Sequence, residues 1–151
     1  MNSDKDNLIE TVARFFDRYS DVFNASIHGE PDIENTMSSF ADCFIGANPH
    51  GVMCGKNDKE FREAMKGGYG FYKKIGITAM TIAGTDITPL DDYHAMAKIR
   101  WHCDYRLKDV TPGSVEFENI YFVQVRDRQP KIFAYITPDE QATLRESGLT
   151  E

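Results

Sequence analysis

The feature that most limits how this chain can fold is a change of hydrophobic period near Ile77. Before it, apolar residues recur at the 3–4 residue spacing of a helix; after it, they alternate as in a half-buried strand. Leu8, Ile9, Val12, Phe15, Phe16, Tyr19, Val22 and Phe23 make one aromatic-rich helical stripe, which Gly29 and Pro31 bring to an end. Asp32 is placed to cap a second helix with Ile33, Met37, Phe40, Ala41 and Phe44 on one face. A third helix begins at Asn57, with Glu60 completing a capping box, and turns Phe61, Ala64, Met65, Tyr72 and Ile75 inward. Gly67, Gly68 and Gly70 weaken its middle.

Between the second and third helices, Cys43 to Gly55 reads CFIGANPHGVMCG. This is two short strands around the turn Asn48-Pro49-His50-Gly51. Four longer strands follow, over residues 77–88, 93–108, 114–125 and 131–137. Their connections are too short for parallel crossovers, so they form an antiparallel meander. Helices followed by strands specify a single α+β domain over residues 1–151, with its core at about 6–138. The tail, 139–151, reads as a short polar helix or a frayed end.

Charge and leader signals narrow the function classes. A net charge of −7 with no basic run disfavours a nucleic-acid partner. No apolar run is long enough to span a membrane, and the N-terminus has no signal-peptide pattern. Three cysteines, an odd number, then read as reduced thiols of a cytoplasmic protein. Asn24-Ala25-Ser26 matches a glycosylation acceptor only by chance in such a protein.

Strand alternation separates two faces. Tyr93, Ala95, Ala97, Ile99, Trp101, Cys103 and Tyr105 form the inward face of the long strand. Lys98, Arg100, His102 and Asp104 lie on the other face, across from Glu116 and Glu118. Cys43, Cys54, His50, His102 and Cys103 lack the paired spacing of a zinc site, so neither metal nor cofactor is expected. Cys43 and Cys103 read as small core hydrophobes. Cys54 beside His50 lacks a group to lower its thiol pKa.

Three landmarks in this order resemble the nuclear transport factor 2-like superfamily, in particular its SnoaL-like polyketide cyclase and ketosteroid isomerase branch. They are Val12-Ala13-Arg14-Phe15-Phe16-Asp17-Arg18-Tyr19, then Phe40 to Ile45 ahead of Asn48-Pro49-His50-Gly51, then the hairpin of residues 122–125 and 131–135. The resemblance implies a cone of three N-terminal helices on a curved antiparallel sheet, the cystatin-like roll, with an apolar pocket inside. It also implies a homodimer through the outer sheet face, where Ile120 and Phe122 would lie. Aligned on these relatives, Asn48 stands where the isomerases place their carboxylate base, and an amide cannot take up a proton at neutral pH. Tyr121 falls at the position of their hydrogen-bond-donating acid, and a phenol donates without a raised pKa. Their helix-one phenol falls near Phe15 or Phe16, with Tyr19 one turn on as its substitute.

The resulting expectation is a small apolar or aromatic ligand held by Phe15, Phe16, Tyr19, Asn48, Trp101, Cys103, Tyr105, Asn119 and Tyr135. His50 and Tyr121 are the candidates for any lyase, isomerase or cyclase chemistry. The competing reading is a non-catalytic dimeric module with a filled core. Structural subunits such as those of ring-hydroxylating dioxygenases are a third.

Overall fold

A computed structural model describes residues 3–150, with side chains from residue 5 onward. The elements run α1 (Ser3–His28), α2 (Ile33–Ser38), β1 (Phe40–Asn48), β2 (Gly51–Lys56), α3 (Lys59–Ile75), β3 (Ile77–Pro89), β4 (His94–Arg106), β5 (Pro112–Arg126), β6 (Gln129–Ile136) and α4 (Glu140–Glu146). The helices of the N-terminal half pack on one curved six-stranded sheet of order β2-β1-β6-β5-β4-β3. This is the α+β class expected from the change of period, in the curved-sheet form that the family resemblance implies.

The core forms where the helical stripe meets the inward strand faces. Val12 and Phe16 of α1 are fully buried, as are Ala95, Ala97 and Ile99 of β4, Val123 of β5 and Ile132 of β6. Burying each large aliphatic or aromatic side chain contributes about 1.5–3 kcal/mol. Polar contacts fix how α1 sits on the sheet. The Asn24 amide donates to the Met80 carbonyl at 2.7 Å and accepts the Met80 N–H at 2.7 Å, and Ser20 Oγ donates to the same carbonyl at 3.0 Å. The open edge of β3 is thereby satisfied locally at Met80. Asn24, matched above to a glycosylation pattern, has a structural duty here.

Four details differ from the sequence reading. The second helix stops at Ser38, and Phe40 and Phe44 face inward from a strand. The cap of α3 is Asp58, which accepts the Phe61 N–H at 3.1 Å. Asn57 instead donates to the carbonyls of Met37 and Phe40 at 2.7 and 3.1 Å. Tyr93 precedes β4 and is exposed, and Ala64 is exposed on α3, whose buried residue is Tyr69. The sheet is also not purely antiparallel: β1 runs parallel to β6, a pairing between segments about ninety residues apart that joins the early hairpin to the meander. No helix among the described residues is long and apolar enough to cross a membrane.

Candidate functional site

Where α1 and α3 diverge from the inner faces of β3, β4 and β5, a cavity of about 180 Å3 remains. Its wall is aromatic, with Tyr19 and Phe23 from α1, Tyr72 from α3, Trp101 from β4, and Phe117 and Tyr121 from β5. Strand alternation explains the β4 and β5 contributions: Trp101 and Cys103, then Phe117, Asn119 and Tyr121, are every second residue.

Three of these groups form a buried polar cluster. Trp101 Nε1–H donates to the Tyr121 hydroxyl at 3.1 Å, and the Asn119 amide nitrogen donates to the same oxygen at 3.1 Å. Asn119 Oδ1 is buried and has no protein partner. Tyr121 then accepts two hydrogen bonds while its own O–H has no acceptor in the protein. Exchanging the amide's O and N gives the other arrangement, in which Tyr121 donates to Asn119 and the amide N–H groups go unmatched. Either way the cluster retains an unused donor.

Burial sets the protonation of the cavity. The hydroxyls of Tyr19 and Tyr72 are pushed well above the ordinary phenol range by desolvation first, reinforced by neighbouring phenols for Tyr19 and by Glu140 for Tyr72. Tyr121 is raised by the same desolvation, partly offset by the hydrogen bonds from Asn119 and Trp101. All three are neutral donors at neutral pH. Burial also pushes the Cys103 thiol up to about 11, so it is no nucleophile.

The tail closes the cavity. Thr137, Pro138, Glu140, Thr143 and Leu144 join Ile77, Met80 and Val115 in the rest of its wall, and Leu144 and Leu149 are buried. Asp139 caps α4 by accepting the Ala142 N–H at 3.1 Å, which with the His50 contact holds its carboxyl below the usual range. The Tyr72 hydroxyl donates to Glu140. Among the described residues Glu140 is the one carboxylate in the cavity wall. The sequence reading missed it because a seven-residue polar helix has too weak a periodicity to reveal what it packs against. Its only signal was Asp139, a cap just after Pro138.

The sequence-derived candidates divide into two groups. Tyr19, Trp101, Cys103, Asn119 and Tyr121 line the cavity. Phe15 and Phe16 are core residues, Phe16 stacking behind Tyr121 with ring centres 4.8 Å apart. Tyr135 lies across Gly46 and against Phe44, and Tyr105 lies across Gly113. Asn48 Oδ1 accepts the His50 N–H at 2.8 Å in an exposed turn. The exposed His50 ring pairs with Asp139 at 3.0 Å outside the cavity, so its duty is to hold α4 against the β1–β2 turn. Cys43, expected in the core, is exposed, as is Cys54. Among the described residues no group of His, Cys, Asp and Glu is arranged to hold a metal ion.

The fold is that of an NTF2-like protein. The chain belongs to the NTF2-like protein family DUF6841, whose profile matches residues 9–140. No curated protein matches it in sequence. Among solved structures it is similar to a protein of Novosphingobium aromaticivorans provisionally described as a scytalone dehydratase, at TM-score 0.67 and 15% identity over 90% of this chain and 86% of that one. An NTF2-like protein with a cystatin-like fold from the same species matches at 0.63 and 14%, over 94% and 88%. A protein of Xanthomonas campestris provisionally described as a polyketide cyclase matches at 0.57 and 14%, over 93% and 98%. At these identities the likeness establishes the fold.

Proposed function

We propose that this protein binds a single-ring, mostly apolar molecule bearing an acceptor oxygen, and acts on it as an isomerase or lyase. The Trp101–Tyr121–Asn119 cluster carries this reading, because it leaves a buried donor that an acceptor oxygen would satisfy. Size narrows the ligand. A cavity of about 180 Å3 is little larger than the roughly 150 Å3 that accommodates benzene. One ring with a small substituent fits within it; a steroid or a multi-ring polyketide would extend beyond it. The similar structures described as a dehydratase and a cyclase lend the reaction classes, and cyclisation of a long chain is the less compatible with this volume. A thermal-shift screen of monocyclic ketones, phenols and hydrocarbons tests the reading. Ligands at about 100 times Kd add roughly 2.7 kcal/mol. Ketones should therefore stabilise the wild type and lose most of that effect with Tyr121→Phe; hydrocarbons performing equally well would count against it.

The outer sheet face supports a second, compatible reading, a homodimer. Ile120 and Phe122 stand half-buried there, with Phe133 packed on Phe122 at 6.2 Å between ring centres. The same face carries Lys98 and Arg100 beside Glu116 and Glu118, a self-complementary pattern suited to a two-fold interface. Sedimentation should give a dimer that Phe122→Glu converts to monomer; a wild-type monomer at all concentrations would refute it.

A further inference from the structure

We propose that Glu140 is a general base supplied by the C-terminal helix, and that the molecules it acts on are enolisable carbonyl compounds. The inference rests on the ligand reading above and adds the second half of a proton-transfer site. Two chemically opposite groups share the cavity. At one wall the Tyr121–Asn119–Trp101 cluster offers neutral donors. At the wall formed by α4, Glu140 brings the only carboxylate among the described residues, its Oε1 accepting the Tyr72 hydroxyl. Among the described residues no other acid, histidine, lysine or arginine lines the cavity, so Glu140 is the side chain placed to accept a proton from a bound carbon.

Glu140 also suits the return of the proton. It lines an outer groove of about 450 Å3 as well as the cavity, and the residue is exposed. The carboxyl is therefore reachable from water as well as from the cavity. The step balances without oxidant or leaving group. The Glu140 carboxylate takes the proton from the carbon next to the carbonyl, and the C–H electron pair forms the enol double bond. The carbonyl pair moves onto oxygen, where the donor cluster stabilises it. Return of a proton from Glu140 to carbon regenerates the ketone. Tyr72 is a positioning residue, orienting the carboxylate through its O–H.

Phenylacetone, one ring with one enolisable ketone, is a suitable probe. Its binding is read by thermal shift and its exchange of α-hydrogen for deuterium by NMR in D2O. The wild type should bind it and accelerate exchange above buffer. Glu140→Gln should retain Kd within about twofold but lose exchange by about 100-fold or more, the usual contribution of a general base. Glu140→Asp should recover part of the rate. Tyr72→Phe should lower the exchange rate with Kd unchanged, a split that a merely structural role would not produce. Binding by the wild type without accelerated exchange, or exchange that survives in Glu140→Gln, overturns the base assignment and leaves the ligand reading standing. Absence of binding overturns both.

Discussion

Trp101 Nε1 and the Tyr121 hydroxyl, on neighbouring strands, meet at 3.1 Å inside the cavity. Removing the acceptor strands the indole N–H and the Asn119 amide together. Tyr121→Phe should therefore cost about 1–3 kcal/mol, more than the ordinary hydrogen-bond value, because buried donors lose their partner. Urea unfolding should show a lower midpoint at unchanged m. Trp101→Phe combined with Tyr121→Phe should cost less than the sum of the two, the sign of direct coupling.

On the outer face, His102 lies between two carboxylates, with Nδ1 at 3.0 Å from Glu116 and Nε2 at 3.0 Å from Asp104. Both nitrogens can donate only in the imidazolium, so folding favours the charged ring. Its pKa is raised, chiefly by the Glu116 hydrogen bond with Asp104 adding to it. The stabilisation is complete below the unfolded value of about 6.5 and is lost as pH rises through the higher folded value. An NMR titration of the His102 ring should give a midpoint above 6.5. His102→Gln should then destabilise more at acidic pH than in alkali, and a midpoint at or below 6.5 would contradict the pairing.

The three thiols should separate by reactivity. Cys43 and Cys54 are exposed, whereas Cys103 is buried with its pKa pushed up to about 11. Under native conditions a disulfide reagent should modify Cys43 and Cys54 quickly and Cys103 only on unfolding. Fast modification of all three would mean that the cavity wall opens readily.

Gly76, which ends α3, adopts φ +106, and a Cβ there would lie 2.1 Å from the Arg106 carbonyl oxygen. Gly76→Ala combines a positive-φ penalty of about 1–3 kcal/mol with a backbone clash. A fall in Tm of roughly 5–10 °C is expected. Gly67, within α3 and with open space around its Cα, is the control. Gly67→Ala should be neutral or stabilising by about 0.5–1 kcal/mol.

Much of this site was legible wherever a long segment kept one period. The alternation of β4 put Trp101 and Cys103 on the inward face, the family resemblance chose the Asn119 and Tyr121 face of β5, and the α1 stripe put Tyr19 there. Phe40 and Phe44 were misplaced for a definite reason: a spacing of four fits both a helical turn and two steps along a strand. Burial of Tyr69 was hidden by its glycine neighbours, although its hydroxyl is 2.8 Å from Thr36 Oγ1. The parallel pairing of β1 with β6 and the placing of Glu140 against Tyr72 both join segments far apart in the chain. No local pattern encodes such contacts.

Trp101 is the only tryptophan, so its indole N–H gives a single resonance from inside the cavity. Following that resonance during titration with monocyclic ketones tests the ligand reading most directly. A saturable shift is expected in the wild type and is lost in Tyr121→Phe. An indole signal unmoved by every ketone, in protein shown to be folded, would contradict it.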